Sequence, residues 1–193
     1  MNAVTDDVLI KRLAAGDPTA LWLIYERHQG VVFRFIYRVA GSRDLAEDLT
    51  HDAFVALMLR PQDYDATRAS LRTYLCGIVR NLERTQRRRR RPEAELPHEA
   101  VTQSQSIADP LSSLMRHELA RRVQQAVLEL KPLLREVLVL IEYEGFTLAE
   151  TASVVGTRIG TVKTRLHRAR AAMRQALAPY LGRSESPMRK VES

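Results

Sequence analysis

Of the 193 residues only one, Cys76, is a cysteine. No internal disulfide can therefore staple this chain, no thiolate cluster can hold zinc, and a lone thiol fits a reducing compartment. Glycine and proline are sparse at 8 each, which excludes collagen-like and low-complexity architectures. Long apolar runs are missing too: the most hydrophobic stretch, Val31 to Ala40, is interrupted by Arg34 and Arg38, and nothing approaches the ~20 residues needed to span a bilayer. Near the N-terminus an Asp6-Asp7 pair stands where a secretory signal would carry positive charge. A soluble cytoplasmic protein without membrane insertion is expected. Strand-like alternation, Asn-Gly hairpin turns and internal repeats are absent as well, which leaves all-α as the expected fold class.

The sequence contains 45% hydrophobic residues, enough to build a packed core, and 30 Lys+Arg against 23 Asp+Glu for a formal charge of +7. That balance favours a polyanionic partner without naming it. From Val8 to about Arg91, apolar residues recur at three- and four-residue steps. Asp17-Pro18 reads as a helix start, with an N-cap acceptor followed by a residue that needs no donor. Gly41-Ser42 ends one helix and caps the next. From Pro92 to about Leu114 the rhythm breaks: three prolines and the acids Glu93, Glu95, Glu99 and Asp109 occur with no Lys or Arg. This stretch reads as a flexible acidic linker. Helical periodicity resumes near Arg116 and lasts to Leu181. The expected organisation is two small helical domains, 1–91 and 116–182, joined by a linker at 92–115 and followed by a polar tail at 183–193.

The strongest local signal lies between Thr147 and Met173. Thr147 and Glu150 are spaced as a capping box, and Leu148, Ala149, Ala152 and Val155 follow on one face. Gly156 supplies a turn, and Thr157 is placed to cap a second helix beginning at Arg158. Short helix, glycine turn and longer helix make a helix-turn-helix. At about 100° per residue, Ile159, Val162, Leu166, Ala169 and Met173 form one inward stripe. The opposite side is centred on Thr164 and flanked by Gly160, Thr161, His167 and Arg168, with Lys163 and Arg165 at the margins. Small polar groups at the centre suit base edges in a major groove, and marginal cations suit the phosphates beside it. No acid interrupts Arg158 to Arg174. The plainer alternative, a solvated basic helix, has no use for the capped partner helix and the glycine turn.

In the N-terminal half, Leu71, Leu75, Ile78 and Leu82 form the inward stripe of a helix from about Ala69, with Thr73, Arg80, Arg84 and Arg87 expected outward. That face runs into the tract Arg87 to Arg91, which includes Arg88. A cationic face leading into a basic tract suggests phosphate binding, and a solubilising charge run is the alternative.

The C-terminal residues Leu133-Leu-Arg-Glu-Val-Leu, Glu144-Gly-Phe-Thr and Ile159-Gly-Thr-Val-Lys-Thr-Arg-Leu-His-Arg-Ala-Arg resemble region 4 of the extracytoplasmic-function (ECF) sigma factors of bacterial RNA polymerase. The N-terminal blocks Gly16-Asp17-Pro18-Thr-Ala20, Ala46-Glu-Asp-Leu49 with Asp52-Ala-Phe54, and Leu71-Arg-Thr-Tyr-Leu75 with Ile78-Val-Arg-Asn81 are similar to region 2 of the same family. The resemblance implies that Arg158, Gly160, Thr161, Lys163, Thr164, Arg165, His167, Arg168 and Arg170 meet the −35 promoter element. It also implies that Arg72, Tyr74, Arg80, Asn81, Arg84, Arg87 and Arg88, with the loop from about Pro61 to Ser70, read the melted −10 element. Glu47, Asp48, His51 and Asp52, outside a helix whose Leu45, Leu49, Ala53 and Leu57 point inward, would dock on the β′ clamp helices of core RNA polymerase. Region 4 would meet the β flap. The acidic linker would thread toward the polymerase active-site channel. The partners implied are core RNA polymerase, promoter DNA and an anti-sigma factor, with no cofactor, metal or catalytic residue, in a bacterial protein that joins the nucleoid when bound to polymerase. Tyr74 replaces the family's common Trp, His51 its usual Gln, Thr151 the Ile after Glu150, and Lys131-Pro132 the usual Leu-Pro.

Two other readings compete. A stand-alone helix-turn-helix regulator would use the same second helix but has no need of the acidic Glu47-Asp48 helix. A metal-dependent HD phosphohydrolase would draw on His51-Asp52 with His28 and Asp63 or Asp65. His28 follows Arg27 on an expected exposed helix end, and the acids after Pro61 fall in a turn, a poor arrangement for convergent ligands.

Overall fold

The computed structural model describes residues 4–90 and 110–181, and every regular element among them is helical. The chain runs through α1 (Asp6–Ala14), α2 (Pro18–Ala40), α3 (Arg43–Leu59), a 3₁₀ turn (Pro61–Asp63) and α4 (Leu71–Arg90). It continues with α5 (Pro110–Glu129), α6 (Pro132–Leu138), a π-helical turn (Val139–Tyr143), α7 (Leu148–Val155) and α8 (Ile159–Leu181). Residues 92–109 of the expected acidic linker, Arg91 of the basic tract and the tail at 183–193 lie outside the described residues. Residues 110–115, read as linker, open α5.

The punctuation follows local chemistry. Asp17 Oδ1 accepts from the Thr19 backbone N–H at 2.9 Å while Pro18 sits at the first helical position. These bonds and Arg12 hold the Asp17 carboxyl down at about 2. Gly41 closes α2 in the left-handed region at φ 77°, and the Ser42 hydroxyl caps α3 by accepting from Leu45 N–H. Ser70 does the same for α4, accepting from Thr73 N–H at 3.3 Å, so that helix starts at Leu71 rather than Ala69.

In the N-terminal half α1, α2, α3 and α4 pack around Leu9, Ile24, Phe35, Ile36, Leu57, Leu71 and Leu75, all with under 2% of their surface exposed. At about 1.5–3 kcal/mol per fully buried large aliphatic or phenyl side chain, this cluster is the main stabiliser of that half. The C-terminal half buries Val137, Val139, Leu140, Val162 and Ala169 between α6, the π-helical turn, α7 and α8. In the π-helical turn the Glu144 N–H reaches back five residues to the Val139 carbonyl at 3.1 Å, admitting one residue more than an α-turn holds.

The halves also pack on each other: α2 meets α5, α6 and the π-helical turn, and α4 meets α7. This contact corrects the expectation that Thr73 and Arg80 face outward, since they are 2% and 4% exposed. The stripe Thr73, Cys76, Arg80 and Glu83 is a second buried face of α4, covered by the C-terminal half. His28 differs as well. It lies mid-way along α2, 7% exposed, with Nε2 3.0 Å from Asp6 Oδ2, because α1 folds across that face instead of leaving a free helix end.

Candidate nucleic-acid interface

The helix-turn-helix is built by three local devices. Thr147 and Glu150 form a reciprocal capping box: the Glu150 carboxylate accepts from Thr147 N–H at 2.8 Å, and the Thr147 hydroxyl oxygen accepts from Glu150 N–H at 3.2 Å. These bonds, with the nearby Arg72, hold the Glu150 carboxyl below its ordinary range. Gly156 turns the chain at φ 63°, a conformation that disfavours any side chain bearing Cβ. The second helix then starts one residue later than its expected Arg158, with the Arg158 carbonyl taking the first amide bonds from Thr161 and Val162. Thr157 precedes the cap and sends its own N–H back to the Ala152 carbonyl at 3.0 Å.

On α8, Val162, Leu166 and Ala169 are 0%, 7% and 0% exposed. On the opposite side Gly160, Lys163, Thr164, His167 and Arg168 are exposed, while Thr161 and Arg165 are half-buried. Ile159, expected on the inward stripe, is 44% exposed because the first helical turn overhangs an open hollow that it lines with Ala149, Ala152 and Gly156. Ala149 is exposed in the same place. A Cβ on Gly160 would meet nothing within 4 Å, so internal packing does not demand glycine there; the effect of glycine is a helix surface kept low where a duplex would approach. The Thr164 hydroxyl donates to the Gly160 carbonyl at 3.1 Å, a bond that a base edge can replace. Arg158 is exposed. Arg170 stands apart from the other cations, held by Glu142 at 2.8 Å and 2.5 Å.

The cations of α4 divide into two groups. Asn81, Arg84, Arg87 and Arg88 are exposed, with Arg87 3.6 Å from Glu83. Arg80 is buried and donates to Glu136 Oε2 at 2.6 Å. Arg72 lies over the Phe146 ring at 4.1 Å and reaches Glu150 Oε1 at 3.4 Å. Tyr74 is half-buried with its ring centroid 5.4 Å from that of Tyr64, and burial raises both phenols above their usual range. In the preceding loop the Asp65 carboxylate accepts from Thr67 N–H and hydroxyl, a local turn that keeps the loop compact and holds its carboxyl low.

Glu47, Asp48, His51 and Asp52 are all exposed along one side of α3, while Leu49, Ala53 and Leu57 are buried on the other. Glu47 is 2.8 Å from Arg43 one turn earlier. The four form an acidic outer strip, the buried His28 is paired with Asp6 instead, and Asp63 and Asp65 are exposed in the loop beyond α3. Sequence reasoning missed the acids Glu136, Glu144 and Glu150 as partners of the N-terminal arginines. One available signal was Glu136 itself, a charge set inside the apolar run Leu133 to Ile141.

Residues 24–93 match the Sigma-70 region 2 family and residues 120–173 match Sigma-70, region 4. The chain is 30% identical over 177 residues to the ECF RNA polymerase sigma factor SigW of Bacillus subtilis, covering 87% of this chain and 94% of that one. Among solved structures it is similar to CnrH in complex with the cytosolic domain of CnrY, at 26% identity and a TM-score of 0.66 over 94% of this chain and 99% of that chain. It shares its fold with the sigma factor RpoE from Bartonella quintana, in complex with the anti-sigma factor NepR, at 23% identity and a TM-score of 0.69 over 81% and 95% of the two chains.

Proposed function

The chain belongs to the ECF RNA polymerase sigma factors, and we propose that it divides promoter recognition between α8, which reads −35 duplex, and α4, which holds melted −10 DNA. As a member of that family it is a transcription initiation factor that directs core RNA polymerase to promoters. The observation that carries the division is the two-sidedness of α8. Val162 and Leu166 anchor the helix to its own domain, and Thr164, with Lys163, His167 and Arg168 around it, faces away from that core. Thr164, Thr161 and His167 are placed for base edges, and Lys163 and Arg168 for the phosphates on either side.

On α4, Arg84, Arg87 and Arg88 track a single-stranded backbone, and Tyr74 offers an aromatic face to an unstacked base. Asn81 is placed to read a base edge. The acidic strip Glu47, Asp48, His51 and Asp52 suits a basic protein surface better than it suits DNA, which supports docking on the β′ clamp helices; region 4 would meet the β flap. On its own the chain performs no reaction. No helix among the described residues is long and apolar enough to cross a membrane, and a cytoplasmic location with nucleoid association through polymerase follows from the role. The structures of RpoE with NepR and of CnrH with CnrY support an anti-sigma partner here as well.

The test is run-off transcription with purified core enzyme on promoters recovered by sequencing DNA bound in cells that overproduce the protein. A promoter-dependent transcript that appears only when the chain is added is expected. Binding of the same promoters without core enzyme, and no transcript with it, would favour a stand-alone helix-turn-helix regulator.

A further inference from the structure

The side of α8 turned away from the core is nearly level. At about 100° per residue, Gly160, Thr164 and Ala171 fall on one line along it, and none of the three extends beyond a methyl or hydroxyl group. The Thr164 hydroxyl already donates to the Gly160 carbonyl at 3.1 Å. Three longer side chains border that line: His167 about 40° from its middle, Arg168 about 60° and Lys163 about 80°. All three are exposed. Lysine and arginine reach on flexible stems to the phosphates at either side. An imidazole sits on a single methylene and touches a base edge only where the helix backbone lies close to the groove floor, which the low line permits.

His167 makes no side-chain hydrogen bond among the described residues; on this side of α8 the bonded groups are Thr164 and Arg170. Its charged neighbours on the helix are all cations: Lys163 one turn before, Arg168 beside it, Arg170 one turn on and Arg174 a further turn on. From the rest of the domain, Glu142 of the π-helical turn reaches α8 through Arg170, which already holds it at 2.8 Å. Arg122 of α5 lies over Tyr180, Glu150 of α7 is taken by Thr147 and Arg72, and Arg135 and Glu136 of α6 are bonded to α2 and α4. The ring is thus left without an acid partner of its own among the described residues.

We propose that His167 selects a guanine in the −35 duplex and does so as an imidazolium, so that promoter preference sharpens with acidity across the range in which histidine changes charge, about pH 8 to about pH 5. The proposal rests on the −35 reading of α8 and adds to it a base and a proton. Guanine shows the major groove two acceptors, N7 and O6, whereas adenine and cytosine each show an amino donor and thymine one acceptor beside a methyl. An imidazolium has donors only, so guanine suits it and the two amino groups repel it. A neutral imidazole keeps one acceptor and can take an amino group instead. Duplex phosphates on both sides of the groove favour the added positive charge, so binding takes up a proton. Affinity therefore rises as pH falls, and the gain is lost as pH rises.

The test is fluorescence anisotropy of the polymerase holoenzyme on a −35 duplex from a recovered promoter, at about pH 6 and about pH 8 and constant salt. Each guanine is replaced in turn by a deazaguanine that lacks N7. The wild type should bind about tenfold tighter at the lower pH, and one of the deaza substitutions should remove most of that gain. His167→Gln, neutral throughout, should lose the pH response and accept adenine at that position. His167→Arg, charged throughout, should keep the guanine preference and lose its pH-dependence, a rescue that a histidine needed only for folding would not show. Circular dichroism checks that both variants fold, as expected at an exposed position.

A pH response that persists in His167→Gln overturns the proposal, as does a duplex in which no guanine matters more at the lower pH than at the higher. The −35 reading is judged separately, by Lys163→Ala and Arg168→Ala. If these weaken duplex binding while His167→Gln binds like the wild type at both pH values, only the role of the histidine fails; if all three bind like the wild type, the assignment of α8 fails with it.

Discussion

Lys163→Ala and Arg168→Ala provide a quantitative check on the orientation of α8. Both side chains are exposed, and neither has an ion-pair partner among the described residues, so their removal should leave folding stability unchanged. If each neutralises one phosphate, each variant should lower the slope of log affinity against log salt by about 0.9. Between about 50 and about 200 mM salt, a fourfold change, that slope corresponds to about 3.5-fold. The affinity lost by either variant relative to the wild type should therefore be about 3.5-fold greater at the lower salt than at the higher. Arg170→Ala is the internal comparison: its guanidinium is already held by Glu142 at 2.5 Å, so it releases fewer counterions on binding and should change the slope less. The assay is fluorescence anisotropy of holoenzyme on a −35 duplex across a salt series. Unchanged slopes for both Lys163→Ala and Arg168→Ala would falsify the assignment of α8 as the duplex-reading helix.

Three further outcomes follow from the same structure. Leu166→Ala opens a hole beneath the recognition helix and should cost about 2–5 kcal/mol, seen by calorimetry as a fall in melting temperature of roughly 4 °C or more; a smaller fall would mean that Leu166 is not in the core. Burial raises the Glu83 carboxyl above its ordinary 4.5, against the pull of Arg87 and with Glu136 adding to the rise. The fold therefore prefers the protonated acid: the stabilising contribution is complete below 4.5 and is lost as pH climbs through the raised value. Glu83→Gln should accordingly be more stable than the wild type at neutral pH, with the advantage shrinking as pH falls toward 4.5; a pH-independent difference in melting temperature would contradict this. Reversing charge on the outer face of α3, as in Asp48→Arg or Asp52→Arg, should weaken binding to core polymerase in a pull-down while leaving the melting temperature within about 1 °C, because exposed substitutions away from partners change stability little.

Helix starts and stops were legible because they depend on residues within one turn of each other: Asp17-Pro18, Gly41-Ser42, and Thr147 with Glu150 and Gly156 all act as their spacing predicts. The two faces of α8 were legible for the same reason, apart from Ile159. A stripe assumes that each side chain has a neighbouring turn behind it, and the first turn of a helix has none. The outer face of α4 was misread for a different cause. Periodicity separates the side packed on its own domain from the side that is not, and it carries no information about a second domain arriving there, so Thr73 and Arg80 were assigned to solvent. His28 belongs with them, since it was the fold-back of α1, through Asp6, that enclosed it.

The π-helical turn at Val139–Tyr143 sets an angle as well as closing a helix. Its surplus residue rotates everything downstream by about 100°, the step of one residue around a helix, and that rotation points Glu144 at Arg34 and Arg38. A relative that has lost one apolar residue in this stretch would keep the same charge and helix-turn-helix yet aim its acid past the N-terminal arginines. The length of a five-residue joint, more than the identity of any side chain within it, would then decide whether such a protein rests latched or loose.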